Sequence, residues 1–460
     1  MNGRLTSGID RFDVLLDGGL PPGAINLIVG NPGSGKTMLA LHYLFANATP
    51  ERPGVYLSTV SEPFEKLIRY GQTLDFFDPR QVGRSVFFDD LAAAVEDGGL
   101  PSVLGEIDRL IRTRRPGVVV IDSFKPLGVY ADDLRAFRSF LTGLAGRLSA
   151  FDASSFWIGE YGSAELVQAP EFAVADAVIS LESTHRSERT VRELRILKLR
   201  GSSFASGAHA YRLTASGVNV FPRLADHVLE EPYALEAPRN TSGVAALDEM
   251  LGEGYVAGGS TLCVGPTGAG KTLAGLHFLF KGAEAGEAGL IATFQENPSQ
   301  LERIVNGFGW TLGDERVSVL YRSPVDMYID EWVYDLLDTV ERVGARRVVI
   351  DSVSDIEAAA GDEHRFREYL YSLVQRLSRR GVGVLLTLEV AELFRIDRIR
   401  PSGVASLCDN VVLLQYANDG ARIRRTLTVL KTRASAHDPG IRNFDIDGRG
   451  IVLADAAREG

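Results

Sequence analysis

The chain contains the pattern G-x-x-x-x-G-K-[ST] twice, and this repeated loop constrains its fold more than any other feature. The first copy, GNPGSGKT, runs from Gly30 to Thr37, and the second, GPTGAGKT, runs from Gly265 to Thr272. An apolar run precedes each copy and a helical pattern follows it, which is the strand–loop–helix context in which this loop cradles phosphate. A chance glycine-rich turn does not explain two copies in the same context. The sequence therefore predicts two nucleoside triphosphate sites.

The residues of each loop have separate predicted roles. Successive backbone N–H groups wrap an anion at a helix N-terminus, the lysine holds the outer phosphates, and the threonine offers its hydroxyl to Mg²⁺. The predicted nucleotide-binding residues of the two loops are Gly30, Asn31, Pro32, Gly33, Ser34, Gly35, Lys36 and Thr37, and Gly265, Pro266, Thr267, Gly268, Ala269, Gly270, Lys271 and Thr272.

Composition narrows the class of protein. The 460 residues leave room for two or three domains, and the 45% hydrophobic and 24% charged fractions are those of a globular protein. No signal peptide or membrane-spanning stretch is predicted, and Cys263 and Cys408 lie in apolar runs that favour buried, reduced thiols in a cytoplasmic protein. The net charge of −11 disfavours nucleic-acid binding, except through a local patch around Arg395, Arg398 and Arg400.

The two halves of the chain repeat the same motifs in the same order. Lys271 lies 235 residues after Lys36, TSGIDRFDVLLDGGL (6–20) is echoed by TSGVAALDEMLGEGY (241–255), and LKLRGSS (197–203) by LKTRASA (430–436). This pattern indicates duplication of a whole domain. We predict an N-terminal domain over 1–224, an acidic linker over 225–240 and a C-terminal domain over 241–460.

Short apolar runs alternate with longer helical patterns in each half. SVLGEIDRLIRTR (102–114) has helical spacing, and the following VVVID is apolar on both faces, as a strand between two helical layers must be. We predict the α/β class, with two tandem domains that each have a mainly parallel sheet flanked by helices and a nucleotide site at the carboxyl ends of the strands.

Acidic residues supply the expected metal and base chemistry. Asp122 and Asp351 end apolar strands in both halves, where a carboxylate can hold Mg²⁺ through water opposite Thr37 and Thr272. Hydrolysis also needs a group that orients or deprotonates water. Glu62 and Glu296 are the predicted catalytic carboxylates, although a glutamate favoured by a helix N-terminus is the structural alternative. Glu160 and Glu389 are weaker candidates for sensing the γ-phosphate.

A K-x-R pair near the end of each half completes the set of candidates. Lys198 and Arg200, like Lys431 and Arg433, lie two residues apart, so both side chains of a pair share one face of a strand. Converging cations suit the charge of a phosphoryl-transfer transition state, whereas a solvated strand face is the alternative.

The TSG-(I/V)-x-x-(L/F)-D opening, the phosphate loop, the VVVIDS strand and the K-L-R-G-(S/T)-S element together resemble the KaiC family of RecA-like clock ATPases. The resemblance covers nearly the whole chain. It implies RecA-type domains in a double-ring homohexamer with ATP and Mg²⁺ between neighbouring subunits. It also implies that the K-x-R pairs reach ATP from the adjacent subunit, that Arg192 and Arg425 contact nucleotide, and that Phe308 packs by the base.

Three departures from that family pattern bear on activity. Ser61 and Gln295 stand where the first glutamate of each catalytic pair is expected, so only Glu62 and Glu296 remain and turnover should be slow. The family's phosphorylated pair corresponds to Ala405–Ser406, which leaves Ser406 as the candidate phosphoacceptor. The chain continues for 27 residues after Arg433, too few for the long regulatory tail of the clock protein.

These observations favour four functions in a definite order. The first is a slow ATPase switch that assembles with itself and signals to an unidentified regulatory protein. A serine/threonine autokinase acting on Ser406 comes second, and a non-hydrolysing scaffold gated by nucleotide comes third. A DNA motor or recombinase comes last, because it needs basic loops facing a central channel. Catalysis in the first two would rest on Lys36, Lys271, Glu62 and Glu296.

Overall fold

A computed structural model describes residues 3–59, 64–162, 165–186, 189–224, 238–312, 316–394, 403–420, 422–433 and 435–453. The chain divides into two compact units, Met1–Asp226 and His227–Gly460. Each unit contains one nine-stranded sheet. No helix in the described ranges is long and apolar enough to cross a membrane.

The N-terminal unit alternates strands and helices and ends in antiparallel strands. Its helices are α1 (Asp10–Leu15), α2 (Lys36–Asn47), α3 (Phe64–Gly71), α4 (Ala92–Arg114), α5 (Leu134–Ala150), α6 (Glu165–Gln168) and α7 (Glu171–Val174), with 3-10 turns at Pro79–Gln81 and Lys125–Tyr130. Its strands are β1 (Ile25–Gly30), β2 (Gly54–Ser58), β3 (Val86–Asp90), β4 (Val118–Asp122), β5 (Ser154–Gly159), β6 (Ala177–Arg186), β7 (Arg189–Leu199), β8 (His209–Thr214) and β9 (Gly217–Phe221).

The strand order of this sheet is β3-β2-β4-β5-β1-β6-β7-β8-β9. The pairs from β3 to β6 are parallel, and β6 to β9 form an antiparallel extension. The predicted helix over 102–114 lies in α4, which bends at Gly99 (φ 56°) before Pro101. The predicted α/β fold with a mainly parallel sheet is confirmed.

Helices cover both faces of the parallel strands. Along β4, Val118 and Val120 pack into the cluster under α2, whereas Val119 and Ile121 pack into the cluster under α4 and α5. Successive strand residues point to opposite faces, so a continuous apolar run is what a sheet enclosed on both sides requires.

The C-terminal unit repeats this architecture. Its helices are α8 (Ala245–Met250), α9 (Lys271–Glu284), α10 (Pro298–Asn306), α11 (Ile329–Val343), α12 (Val353–Ala360), α13 (Glu363–Arg379) and α14 (Val404–Leu407), with a 3-10 turn at Pro324–Asp326. Its strands are β10 (Arg239–Asn240), β11 (Tyr255–Val256), β12 (Ser260–Gly265), β13 (Gly289–Thr293), β14 (Val317–Tyr321), β15 (Arg347–Asp351), β16 (Gly383–Glu389), β17 (Asn410–Asp419), β18 (Arg422–Thr432), β19 (Arg442–Asp447) and β20 (Gly450–Leu453).

The order of its large sheet is β14-β13-β15-β16-β12-β17-β18-β19-β20, which matches the first sheet strand for strand. The short strand β10 pairs with β11, so Arg239 and Asn240, at the end of the predicted linker, are hydrogen-bonded within this unit. Cys263 and Cys408 are both buried free thiols, as predicted.

Candidate functional site

The first phosphate loop joins the carboxyl end of β1 to the N-terminus of α2. Gly30 (φ +151°) has no room for a side chain, because a Cβ there would lie 1.8 Å from the carbonyl oxygen of Leu181. Gly35 also has a positive φ (+92°), which side chains rarely adopt. The loop is anchored from the sheet, since the Asn31 amide exchanges hydrogen bonds with the backbone of Ser183. Its backbone N–H groups are thereby held at a helix N-terminus, the arrangement that fits a phosphate.

In the second loop Gly268 (+75°) and Gly270 (+108°) have positive φ, as their counterparts Gly33 (+71°) and Gly35 (+92°) do in the first. The hydroxyl of Thr267 donates to Oε1 of Glu389 at 2.6 Å. Arg425 donates from Nε to the carbonyl oxygen of Gly268 at 3.4 Å, and its guanidinium lies 5.7 Å from the ring centre of Tyr416. The C-terminal unit therefore places an arginine directly beside its own phosphate loop.

Both loop lysines are buried at the first position of their helices. Nζ of Lys36 donates to the carbonyl oxygen of Asn31 at 2.9 Å and lies 3.4 Å from Oε1 of Glu160. Nζ of Lys271 donates to the carbonyl oxygen of Pro266 at 2.9 Å and lies 3.7 Å from Oε2 of Glu389. Burial lowers the pKa of Lys36, and the charge of Glu160 opposes that shift. Glu160 and Glu389, the weaker candidates from sequence, are thus direct neighbours of the loop lysines.

Each loop threonine faces the predicted metal carboxylate. The Thr37 hydroxyl donates to Oδ2 of Asp122 at 2.7 Å, and that of Thr272 donates to Oδ2 of Asp351 at 2.6 Å. Among the described residues no group of three or more His, Cys, Asp or Glu side chains could hold a metal. A hydroxyl–carboxylate pair beside a phosphate loop nevertheless fits Mg²⁺, which takes few protein ligands when substrate phosphates supply the rest.

Of the two predicted catalytic glutamates, Glu296 follows β13 and is half-buried near Asp351. Burial, and next the charge of Asp351, raise the pKa of Glu296, while its Oε2 accepts a 3.3 Å hydrogen bond from Thr293. Gln295, at the position of the missing glutamate, is exposed and donates to Asp355. Glu62 and Ser61 lie outside the described residues, as do Arg395, Arg398 and Arg400.

The two side chains of each K-x-R pair contact the same short helix. This helix is α7, before β6, in the N-terminal unit and α14, before β17, in the C-terminal unit. Lys198 donates to the carbonyl oxygen of Phe172 at 3.0 Å, and Arg200 donates to that of Ala173 at 3.1 Å. Arg200 also lies 3.4 Å from Asp176, whose other oxygen accepts from the backbone N–H of Ile25. Ile25 is the first residue of β1, whereas the phosphate loop follows the last residue of β1. Lys198 and Arg200 therefore lie at the opposite end of β1 from the loop of their own unit.

The C-terminal pair makes equivalent contacts around the candidate phosphoacceptor. Lys431 donates to the carbonyl oxygens of Ala405 and Cys408 at 3.0 and 2.7 Å, and Arg433 donates to that of Ser406. Ser406 is exposed, and its hydroxyl donates to Gly403 at 2.6 Å. Burial, and then the neighbouring Arg433, lower the pKa of Lys431.

The remaining predicted contacts divide between loop and core. Arg192 on β7 pairs with Ser183 on β6, and Ser183 is the residue whose backbone anchors the first loop. Phe308 is partly buried against the hydrophobic cluster of the C-terminal unit, with its ring 5.7 Å from that of Trp310. Its contact with the base stays a prediction.

Sequence reasoning missed three side chains that hold the site. Tyr211 donates to the carbonyl oxygen of Ser34 at 2.6 Å, Tyr56 donates to Oδ2 of Asp122 at 2.6 Å, and Thr387 donates to Oδ1 of Asp351. All three side chains are buried, and their hydroxyl groups were the available signal, because a buried hydroxyl needs a partner.

Comparison with known proteins identifies the family of the chain. A family model described as "ATPase: KaiC" matches residues 5–225 and again residues 240–458. The circadian clock protein KaiC3 of Synechocystis sp. is 30% identical over 470 residues, covering 98% of this chain and 91% of that protein. The circadian clock oscillator protein KaiC of Rippkaea orientalis is 27% identical over 472 residues, covering 99% of this chain and 89% of that protein. The resemblance noted in the sequence is confirmed, and the chain belongs to the KaiC family of ATPases.

Proposed function

We propose that this KaiC-type ATPase is a slow, Mg²⁺-dependent switch that assembles as a homohexamer with ATP between neighbouring subunits. The observation that carries this proposal is the repeated arrangement of a buried loop lysine beside a Thr–Asp pair, with Oγ1–Oδ2 distances of 2.7 Å for Thr37–Asp122 and 2.6 Å for Thr272–Asp351. A timing role in a cytoplasmic signalling system, with an unidentified protein partner, follows by analogy with the clock proteins that the chain resembles.

Bound Mg²⁺ would neutralise charge that builds up on the phosphates during transfer. The residues of the chain would do the rest of the work. Lys36 and Lys271 would hold the outer phosphates, and Thr37 and Thr272 would each turn a hydroxyl toward the metal. Asp122 and Asp351 would accept hydrogen bonds from water bound to the metal.

Glu296 is proposed to orient the attacking water in the C-terminal site, and Glu62 is proposed for the N-terminal site. Burial raises the pKa of Glu296, so its carboxylate is a stronger base than that of an ordinary glutamate. Because Gln295 stands in place of a second glutamate, Glu296 would act without a carboxylate on the preceding residue. Slow turnover is the expected consequence, and it suits a switch whose subunit interfaces change as ATP is converted to ADP.

The K-x-R pairs are proposed to act on the nucleotide of a neighbouring subunit. Lys198 and Arg200 lie at the amino end of the sheet, away from the loop of their own chain, and Lys431 and Arg433 lie in the equivalent place. Because all four side chains contact helix carbonyl oxygens or an aspartate, they are ordered before any neighbour arrives. Such pre-ordering reduces the entropy cost of supplying a cation across an interface.

Autophosphorylation is the second candidate function, and the contacts of Ser406 favour it. Arg433 binds the backbone of this exposed serine, so an interface that brings Arg433 to a neighbour's γ-phosphate brings Ser406 there as well. The hydroxyl of Ser406 would then take the place of water as the acceptor.

Purified protein incubated with γ-labelled ATP and Mg²⁺ separates these functions. Label released as phosphate supports the ATPase switch. Label kept on the protein and lost in Ser406→Ala, but not in the control Ser435→Ala, supports the autokinase. Label that stays on ATP overturns both and supports a nucleotide-gated scaffold. Sedimentation with ATP tests the hexamer, and a chain that stays monomeric at saturating ATP contradicts it.

A further inference from the structure

The metal-site aspartates of the two units are held by different residues on opposite neighbouring strands. Tyr56 on β2 donates to Oδ2 of Asp122 at 2.6 Å. In the C-terminal unit Thr387 on β16 donates to Oδ1 of Asp351. The donor has therefore changed from a phenol to a threonine hydroxyl, from one side of the aspartate strand to the other, and from one carboxylate oxygen to the other.

Strand register shows that this is an exchange between equivalent positions. Tyr56 pairs with Val120, two residues before Asp122, and Ile291 pairs with Val349, two residues before Asp351. Ile291 is therefore the counterpart of Tyr56 and carries no hydroxyl. On the other side Ile158 pairs with Ile28, two residues before Gly30, and Thr387 pairs with Cys263, two residues before Gly265. Each unit thus has one hydroxyl and one isoleucine at these two positions, in opposite arrangement.

From this exchange we propose that Tyr56 and Thr387 are the positioning residues of the two metal sites, each fixing the carboxylate that faces Mg²⁺. This inference rests on the proposed Mg²⁺-dependent function. A carboxylate oxygen can accept two hydrogen bonds, so Tyr56 keeps one on Oδ2 of Asp122 while Thr37 occupies the other. If the Thr37 hydroxyl turned toward Mg²⁺, the Tyr56 phenol would still hold the Asp122 carboxylate in place.

In the C-terminal unit the aspartate is held through its other carboxylate oxygen. Thr387 is fully buried and donates to Oδ1 of Asp351, which leaves Oδ2 to accept from Thr272. Thr387 would therefore still hold the carboxylate if Thr272 turned toward Mg²⁺. The two sites are consequently coupled to different parts of the fold. Asp122 is tied to β2, the strand that precedes Glu62, and Asp351 is tied to β16, which ends at Glu389 beside Lys271.

The test measures Mg²⁺ requirement and not turnover, one site at a time. Lys271→Ala leaves only the N-terminal site and Lys36→Ala only the C-terminal site. In each background the Mg²⁺ concentration that gives half-maximal binding of a fluorescent ATP analogue is determined. Partners that orient metal-binding groups typically contribute about 10- to 100-fold to metal affinity. Tyr56→Phe and Thr387→Val are therefore expected to raise the half-maximal Mg²⁺ concentration about tenfold, each in its own site.

Matched variants separate positioning from simple packing. Tyr43→Phe removes another buried phenol of the N-terminal unit, one whose hydroxyl has no hydrogen-bond partner among the described residues, and it should leave the Mg²⁺ requirement unchanged. Thr387→Ser keeps the hydroxyl and should behave as the parent. Adding Ile158→Thr to Tyr56→Phe places a hydroxyl on the strand used by the C-terminal unit and should restore the requirement.

The outcomes separate this inference from the proposed function. If the single-site proteins bind the analogue with Mg²⁺ and neither Tyr56→Phe nor Thr387→Val changes the Mg²⁺ requirement, the positioning role is wrong while the function stands. If Tyr56→Phe and Thr387→Val lower thermal stability without changing the Mg²⁺ requirement, the two hydroxyl groups only stabilise the fold and the positioning role is likewise wrong. If the single-site proteins bind no nucleotide at any Mg²⁺ concentration, the proposed function falls and this inference falls with it.

Discussion

At the scale of single residues, the main feature of each site is the buried lysine of its phosphate loop. Lys36 and Lys271 are each 7% exposed and donate to carbonyl oxygens of their own loops. Each ammonium is also close to a glutamate at the end of the adjoining strand, at 3.4 Å for Glu160 and 3.7 Å for Glu389. An incoming phosphate would replace loop carbonyls as the partner of a cation that is already desolvated, which strengthens the new interaction.

Lys36→Ala and Lys271→Ala should each silence one site. Hydrogen bonds to charged groups contribute about 1.5–3 kcal/mol, so ATP binding at the altered site is expected to weaken about 10- to 100-fold. Calorimetry should show the stoichiometry per chain falling from two strong sites to one. Lys281→Ala, which removes an exposed lysine of α9, is the control and should keep both. Two undiminished sites in either loop variant would contradict the assignment.

Glu296→Gln should separate binding from turnover in the C-terminal site. Positioned acid–base groups contribute about 10²- to 10⁴-fold, so turnover in a Lys36→Ala background should fall at least about 100-fold while ATP affinity is kept. Because the carboxylate must be ionised to accept a proton and its pKa is raised, the parent's turnover should fall on acidification at a pH above the ordinary glutamate value of 4.5. Glu302→Gln on α10 is the exposed control. Unchanged turnover in Glu296→Gln would assign the role elsewhere.

At the scale of elements, a buried histidine ties the helix after each phosphate loop to the terminal hairpin of its unit. The backbone N–H of Val218 donates to Nε2 of His42 at 3.2 Å, and that of Ile451 donates to Nε2 of His277 at 2.9 Å. The adjoining turns leave no room for a side chain, since a Cβ on Gly217 or Gly450 would lie 2.0 Å from the imidazole. The hairpin therefore packs directly on the helix that starts at the loop lysine.

This contact predicts that acid destabilises both units. Burial lowers the pKa of His42 and of His277 from 6.5 to about 4, so each is neutral when folded and takes up a proton on unfolding. Their stabilising contribution is complete above about pH 6.5 and is lost as the pH falls toward 4, by up to about 3 kcal/mol per histidine. Urea unfolding between pH 7.5 and 5 should show this slope.

Replacing the histidines tests the cause of that slope. His42→Gln and His277→Gln keep a hydrogen-bond acceptor that does not titrate, so the pH dependence should shrink even if overall stability drops. His364→Gln changes an exposed histidine of α13 and should leave the slope as it is. A slope that survives in the double histidine variant would assign the acid sensitivity to other groups.

Short, continuous apolar runs were the easiest elements to predict. The apolar runs that precede Asp122 and Asp351 became β4 and β15, because an unbroken Val/Ile run suits only a strand buried on both faces. The antiparallel extension β6–β9 was not predicted in detail, since nothing in a local pattern states which edge a strand joins. The K-x-R pairs illustrate this limit, because spacing gave their common face but not their distance from the loop.

At the scale of the whole molecule, the duplicated sheet gives one chain two sites of the same design. ATP is expected to drive assembly if it lies between neighbouring subunits. Analytical ultracentrifugation should then show a species of roughly six times the 49.9 kDa chain mass with ATP, and a smaller species without nucleotide. Arg200→Ala and Arg433→Ala should lower turnover more than ATP affinity, whereas the exposed Arg80→Ala should change neither. Equal sizes with and without ATP would contradict assembly through nucleotide.

The duplication, the two phosphate loops, the α/β class and the family could all be predicted from the sequence, because each of them depends on short motifs whose physical meaning is local. A glycine with positive φ, a lysine after it and an apolar run before it carry their chemistry with them. Which side chains meet across strands depends on the tertiary structure. Tyr56 contacts Asp122 and Thr387 contacts Asp351 because register brings together strands that are far apart in the chain. Such contacts depend on strand order and register, which packing of the whole sheet sets.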